Sequence, residues 1–204
     1  TIMNINEGKN KPTVNFKLFD ENFTKESSYV LGLLWADGHI MKKSKLTSIN
    51  LVSDDISDIK DVFLKTGNWR ISTQFKKFFK GKEVNPQIKI STTTWGLYHI
   101  LEKYNYLQKS TASPDDILSE LPQNLRRYWF RGYLDGDGCI RFKDKKYMGV
   151  VFAGSYNQDW NFLINLCESL SIKFLIEKFV VKLGGYSQFI IYKKYDVLKF
   201  CKFI

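Results

Sequence analysis

Cysteine and histidine are scarce in this sequence of 204 residues, which contains three of the first and two of the second. Cys139, Cys167 and Cys201 are odd in number and lie far apart, so they predict neither a disulfide framework nor a C-x-x-C redox motif. With only His39 and His99 to add, the chain has too few suitably spaced ligands for a structural zinc site. We therefore expect a reduced, intracellular protein whose cysteines are small buried apolar side chains.

Long apolar runs are also missing. None approaches the roughly 20 residues that a membrane-spanning helix requires, and no apolar segment near Thr1 resembles a signal peptide. What the chain has instead is a formal net charge of +10 and an aromatic content of 16%. An excess of Lys and Arg is typical of proteins that bind a polyanion, so we expect a nucleic acid as the partner and no membrane.

The most informative pattern is a repeat. The segment from Tyr29 to Gly38 reads YVLGLLWADG, and one hundred positions later the segment from Trp129 to Gly138 reads WFRGYLDGDG. Both read as a short helix that ends in Asp-Gly. One such segment would be an ordinary helix terminus, but two copies at the spacing of a small domain predict two similar units.

The elements around the two segments repeat as well, in the order αββαββα. Gln87 begins a strand pattern, and Gln188 lies in the same pattern in the second unit. We predict an α+β protein with an N-terminal arm at 1–25, a first half at 26–106, a linker at 107–121 and a second half at 122–204. Ser27 or Ser28 is expected to cap the first helix.

Small residues recur on one face of each predicted helix. Gly32 and Gly132 would allow two backbones to approach closely, so we expect the two helices to pack along these positions. Their carboxyl ends then converge and bring Asp37 and Asp137 together. Because carboxylates at a helix C-terminus oppose the helix dipole, a compensating cation is expected there. Oxygen ligands beside a phosphate substrate suit Mg²⁺, which can support phosphodiester hydrolysis.

With these residues the chain resembles the LAGLIDADG homing endonucleases in their single-chain form with two motifs. The resemblance extends from about residue 26 to the end. It is strongest in the block RYWFRGYLDGDG from Arg127 to Gly138, and it includes the segment LQKS from Leu107 to Ser110.

The resemblance implies two pseudo-symmetric halves joined by the motif helices, each with a saddle-shaped antiparallel sheet on a long double-stranded DNA site. A monomer would cleave both strands and leave short 3′ overhangs, with Mg²⁺ as cofactor and Mn²⁺ or Ca²⁺ able to replace it in the site. The family's metal ligands correspond to Asp37 and Asp137, with the carbonyl groups of Ala36 and Gly136 as further partners. Lys109 matches a basic residue near the scissile phosphate, although it could instead be a solvated charge in the linker.

Two features depart from the family pattern. Trp35 replaces the first Asp of the motif, where we expect it to pack, whereas Asp135 keeps that Asp and is expected in a local ion pair. A family Gln often lies at the end of the second strand, near the metal-bound water. Ser53 and Ser155 take that place here, and each could either hold the water or begin a helix.

Strands that face DNA should alternate polar and apolar side chains, because successive residues point to opposite faces of a sheet. Arg, Lys and Gln on such a face can contact base edges or phosphates. The predicted DNA contacts are Asn50, Ser53, Arg70, Ser72, Gln74, Lys76, Gln87, Lys89, Ser91, Arg141, Lys143, Ser155 and Gln188.

Two other functions are compatible with the same fold. An intron-splicing maturase would bind structured RNA through a basic surface away from the saddle. A DNA-binding regulator would bind duplex DNA without cutting it. The intact pair of Asp residues favours the endonuclease over both.

Overall fold

The computed structural model describes residues 13–52, 56–74, 78–79, 82–83, 86–143, 147–181 and 184–204. A short 3-10 helix (Phe16–Phe19) precedes the first half, and a linker with a 3-10 turn (Tyr106–Gln108) follows it. The helices are α1 (Lys25–Asp37), α2 (Ile56–Leu64), α3 (Trp95–Lys103), α4 (Asp115–Glu120) in the linker, α5 (Gln123–Asp137), α6 (Asn161–Ser169) and α7 (Lys194–Phe203).

The strands form one four-stranded antiparallel sheet in each half. The strands of the first half are β1 (His39–Met41), β2 (Leu46–Val52), β3 (Arg70–Gln74), the two-residue strands β4 (Phe78–Phe79) and β5 (Lys82–Glu83), and β6 (Gln87–Thr92). Those of the second half are β7 (Gly138–Lys143), β8 (Tyr147–Ser155), β9 (Phe174–Val181) and β10 (Gly184–Ile191). The sheet orders β1-β2-β6-β3 and β7-β8-β10-β9 are equivalent. The predicted α+β fold with two αββαββα halves is thereby confirmed.

The N-cap of helix α1 lies three or four residues before the predicted caps, Ser27 and Ser28. Thr24 is the N-cap, and its hydroxyl accepts a hydrogen bond from the Ser27 backbone N–H at 3.1 Å. The Ser27 hydroxyl in turn accepts one from the Thr24 backbone N–H at 2.9 Å. This reciprocal capping box makes Ser27 the third residue of the helix instead of its cap. The remainder of the helix is buried on all sides up to Ala36.

Helices α1 and α5 pack side by side with their backbones in contact. A Cβ atom added at Gly32 would lie 1.9 Å from the Trp129 carbonyl oxygen, and one added at Gly132 would lie 2.1 Å from the Tyr29 carbonyl oxygen. No side chain larger than hydrogen fits at either position. Both helices run in the same direction, so their C-terminal ends meet between the two sheets.

The linker seals one side of this helix pair. Trp35 packs edge-on against Tyr106, at 4.8 Å between ring centroids, and lies 6.3 Å from Trp129. The Tyr106 hydroxyl donates to the Leu31 carbonyl at 3.0 Å, and the Trp129 indole N–H donates to that hydroxyl at 3.4 Å. Trp35 therefore packs, as expected.

No helix in the described parts of the chain is long and apolar enough to cross a membrane.

Candidate functional site

Two carboxylates end the paired helices. Asp37 is the last residue of α1, and Asp137 is the last residue of α5. The glycine that follows each of them donates its backbone N–H to a carbonyl one turn earlier in the helix. A Cβ atom at Gly136 would lie 2.4 Å from the Ala36 Cβ and 3.4 Å from Asp37 Oδ2. The two helix ends are therefore in contact where their carboxylates project.

Lys109 joins this pair from the linker. Its ammonium group donates hydrogen bonds to the carbonyl oxygens of Leu34, at 3.3 Å, and of Ala36. It thus donates hydrogen bonds to carbonyl groups in the last turn of α1. These carbonyl groups form the negative end of the helix dipole. Lys109 is not a solvated charge, because its half-buried side chain hydrogen-bonds to the end of α1.

The charges at this point influence each other. Burial, and then the nearby charge of Asp37, raise the pKa of Asp137 to about 6, although Lys109 acts in the opposite direction. Burial lowers the pKa of Lys109, and the two carboxylates oppose that change. A carboxylate that ionises reluctantly beside another carboxylate gains most from a bound cation.

The oxygen atoms at the helix ends fit one divalent cation. Among the described residues no group of three His, Cys, Asp or Glu side chains could hold a metal. However, Mg²⁺ is commonly bound by one or two carboxylates, with water and substrate phosphates completing its shell. Asp37 and Asp137 would supply that pair, and Gly136 lies beside Asp37, since a Cβ atom there would lie 3.4 Å from Asp37 Oδ2. The Ala36 carbonyl already accepts a hydrogen bond from Lys109.

Strand register describes the surroundings of the two helix ends. His39, two residues after Asp37, pairs with Ser48 on β2, and Asn50 lies two residues further along that strand. Gly138, directly after Asp137, pairs with Phe152 on β8, and Ala153 is the next residue of that strand. The two neighbouring strands thus carry an amide in the first half and a methyl group in the second.

The two serines predicted near the metal-bound water have different outcomes. Ser53 lies outside the described residues. Ser155 ends β8, and its hydroxyl donates to the Ser110 carbonyl at 3.1 Å, which ties the second sheet to the linker. Its role in holding water stays a prediction.

The predicted DNA contacts of the first half share one face of its sheet. The register aligns Asn50 with Lys89 and Lys89 with Ser72. The neighbouring cross-strand rows contain Ser91 with Arg70, and Gln87 with Gln74. The opposite face carries the apolar residues Ile49, Leu51, Ile88, Ile90 and Ile71 toward the helices. The side chain of Gln74 and the whole of Lys76 lie outside the described part of the chain.

In the second half the predicted contacts also share the outer face, but they are fewer. Arg141 pairs with Gly149, and Gln188 pairs with Ala153. The side chain of Lys143 lies outside the described part of the chain. The structure therefore places those predicted contacts that it describes on the outer faces of the two sheets, although Ser91 is buried there, at 6% exposure.

The second motif also differs from expectation at Asp135. Its carboxylate accepts a hydrogen bond from the Tyr29 hydroxyl at 2.8 Å, and the ion pairs found among the described residues do not include it. The expected local ion pair is therefore replaced by a contact between the two helices. Burial and the Asp135 charge raise the pKa of Tyr29 well above its ordinary value, so Tyr29 stays a hydrogen-bond donor. No local sequence pattern indicates this partner, because Tyr29 lies in the other half.

No protein-family model matches the sequence, and no curated protein matches it. Solved structures do match. The homing endonuclease I-WcaI bound to its DNA recognition sequence is 17% identical, with a TM-score of 0.64 over 98% of this chain and 90% of that one.

Two further structures share the same architecture. I-DmoI in complex with DNA and Mn is 16% identical, with a TM-score of 0.53 over 88% of this chain and 96% of that one. The N-terminal LAGLIDADG domain of DUF199/WhiA is 18% identical, with a TM-score of 0.54 over 93% and 87%. This chain has the fold of the LAGLIDADG homing endonucleases.

Proposed function

We propose that the chain is a site-specific endonuclease of the LAGLIDADG family that cuts both strands of a long DNA target with the help of a divalent metal ion. One observation carries the proposal. Asp37 and Asp137 end two helices in backbone contact, and the ammonium group of Lys109 lies against the end of α1. A purely structural helix pair would gain nothing from two negative carboxylates that repel each other.

The roles of the side chains follow from their positions. Asp37 and Asp137 would hold Mg²⁺, or Mn²⁺ in its place, together with backbone carbonyl oxygen. A bound metal ion would activate water and stabilise the leaving oxygen of the phosphodiester. Lys109 would offer positive charge to the scissile phosphate, since its ammonium group already lies against the end of α1 and interacts with both carboxylates. Asn50, on the strand that pairs with the segment after Asp37, would orient water through its amide.

The sheets and the net charge support DNA as the substrate. Polar and basic side chains share the outer face of the first sheet, and the chain carries a formal net charge of +10. Both sheets begin directly after the helix that bears an Asp residue. DNA lying along the two outer faces would therefore pass the paired carboxylates. Cleavage of both strands by one molecule, with short 3′ overhangs, is part of this proposal.

Substitution of the carboxylates tests the proposal. A target is first recovered by cleavage selection on randomised duplex DNA with Mg²⁺. Asp37→Asn and Asp137→Asn should each abolish double-strand cleavage while affinity for the duplex remains, because phosphate contacts do not depend on them. Asp135→Asn is the matched control, since it removes a charge two residues away and should leave cleavage intact. Cleavage at the wild-type rate by either Asp37→Asn or Asp137→Asn would refute the assignment.

A DNA-binding protein that does not cut is the second candidate, because the WhiA domain shares the fold without carrying the name of an endonuclease. The selection separates the two. Duplex molecules that are retained by the protein but never cut, with Mg²⁺ or Mn²⁺ present, would favour the regulator. Preference for structured RNA over duplex DNA would favour a maturase.

A further inference from the structure

The two sheets present opposite chemistry on equivalent positions. In the first sheet, one cross-strand row contains Asn50, Lys89 and Ser72. In the second sheet, a row across the corresponding three strands contains Ala153, Gln188 and Glu177. A carboxylate therefore lies on the outer face of the second sheet.

The neighbouring row continues the contrast. In the first sheet it contains Ser48, Ser91 and Arg70, and in the second it contains Val151, Ile190 and Leu175. Ser48, Ser91 and Val151 are buried, whereas Arg70 is exposed and Leu175, a large apolar side chain, is 46% exposed. The first sheet thus offers positive charge at this row, whereas the second offers an apolar side chain.

Glu177 lacks a charged partner within the described structure, where none of the ion pairs includes it. Lys178, the next residue, points to the opposite face, and its ammonium group lies 5.0 Å from the centroid of the Tyr156 ring. An unneutralised carboxylate on a DNA-facing strand is repelled by phosphate. It can be favourable where it reaches a base, because carboxylates accept a hydrogen bond from the cytosine N4 amino group in the major groove.

Resting on the function proposed above, we propose that Glu177 and Leu175 are specificity-determining residues of the second half. Glu177 accepts a hydrogen bond from a cytosine amino group, and Leu175 contacts the methyl group of a nearby thymine. The first sheet reads its half-site with Arg70, Lys89 and the amides, which match purine edges. The two half-sites of the DNA target therefore differ in the base groups that are contacted as well as in sequence.

Binding selection on a randomised duplex library, without divalent metal, tests Glu177. The wild-type protein should select cytosine at one position of one half-site. Glu177→Gln should lose that preference by about tenfold at that position alone, as expected for one base contact. Glu168→Gln is the matched control, because it removes the same charge from the exposed side of α6 and should select the same bases as the wild type.

Thymine replaced by uracil tests Leu175, since uracil lacks only the methyl group. The replacement should weaken wild-type binding when made beside the selected cytosine, and Leu175→Ser should be insensitive to it. An unchanged base preference in Glu177→Gln, or a gain of affinity that is equal for all sequences, would overturn the inference while DNA binding itself stands. Failure of the wild-type protein to retain any duplex would instead overturn the proposed function.

Discussion

At the scale of single residues, the ends of α1 and α5 hold more negative charge than their surroundings favour. Asp137 is partly buried beside Asp37, and Lys109 offsets the rise in the pKa of Asp137 only in part. Such a site is under electrostatic strain, which links protein stability to pH.

The raised pKa of Asp137 gives a prediction with a definite sign. The folded state binds this proton with a pKa of about 6, above the ordinary value of 3.8. Tighter proton binding by the folded state stabilises the protein fully below pH 3.8, and this stabilisation is lost as the pH rises through 6. At pH 8 the ionised group then costs at most about 3 kcal/mol. Asp137→Asn should therefore raise the melting temperature by several degrees at pH 8 in EDTA.

The same comparison at pH 4 should show almost no difference, because Asp137 is protonated in the folded wild-type protein. Thermal unfolding followed by circular dichroism at both pH values measures the effect. A stabilisation that is the same at pH 4 and pH 8 would mean that lost charge is not its cause.

Residues of the site were predictable to different degrees. Asp37 and Asp137 follow from the repeated Asp-Gly, which is local in sequence, and Lys109 follows only from resemblance. The place of Asn50 relative to the end of α1 depends on the register of β1 and β2. That register is set by a turn in which Lys45 adopts a positive φ of 54°, a conformation that a sequence normally signals with Gly or Asn. Its ammonium group lies 3.9 Å from the Tyr98 ring centroid, a long-range contact with no local sequence signal.

At the scale of secondary-structure elements, the contact between α1 and α5 is the most sensitive feature. The backbones touch at Gly32 and Gly132, so even a methyl group collides with a carbonyl oxygen of the facing helix. Overpacking typically costs about 1–3 kcal/mol. Gly32→Ala and Gly132→Ala should each destabilise the protein by about 2 kcal/mol or more, because the obstacle is backbone. Denaturant unfolding measures this loss.

Gly149→Ala is the matched control for the helix interface. A Cβ atom there meets its nearest neighbour, the Ile191 carbonyl oxygen, at 3.4 Å, and the methyl group points away from the helices. The free energy of unfolding should hardly change. Equal stability of the Gly32 and Gly132 variants and the wild-type protein would show that the two helices do not depend on this close approach.

The sequence predicts the elements better than their ends. Ser27 or Ser28 was expected to cap α1, but Thr24 caps it, because the capping box combines two residues that are each plausible caps. The linker predicted at 107–121 contains α4, and the 3-10 turn Tyr106–Gln108 spans its start. Its order comes from Tyr106, which fills the space beside Trp35, a contact between distant segments.

At the scale of the whole molecule, charge should control binding. A net charge of +10 and two long sheet faces should displace many counterions from DNA, so affinity should fall steeply with salt, at a log–log slope of about −0.9 per phosphate contact. Lys89→Ala should make this slope shallower by about one contact if Lys89 touches phosphate. If it reads a base, one position of the target should lose its preference instead.

A salt titration with the selected target, for the wild-type protein and the variant, distinguishes these outcomes. Lys17→Ala serves as control, since Lys17 belongs to the first 3-10 helix and not to a strand of the sheet, and its ammonium group lies 3.9 Å from the carboxylate of Glu21. Affinity that does not depend on salt, or a Lys89→Ala variant with unchanged affinity and selectivity, would contradict DNA binding at this strand.

The unequal sides of the helix pair have a consequence for how such a chain could arise and be divided. Tyr29 corresponds to Trp129, and Trp35 corresponds to Asp135, so one side joins two indoles and the other joins a phenol to a carboxylate. Two copies of the second half alone would set each Asp135 against an indole and would lose the phenol donor. Unlike halves are thus complementary, and like halves are not.

If the chain is cut within the linker and the two fragments are produced together, they should therefore assemble as a one-to-one heterodimer. Size exclusion of differently tagged fragments would measure this, and homodimers in equal amount would refute it. An ancestral half that later duplicated could pair with a second copy of itself. The present side chains at positions 29, 35, 129 and 135 instead favour pairing of the first half with the second. Assembly would then depend on these aromatic and acidic side chains more than on the covalent linker.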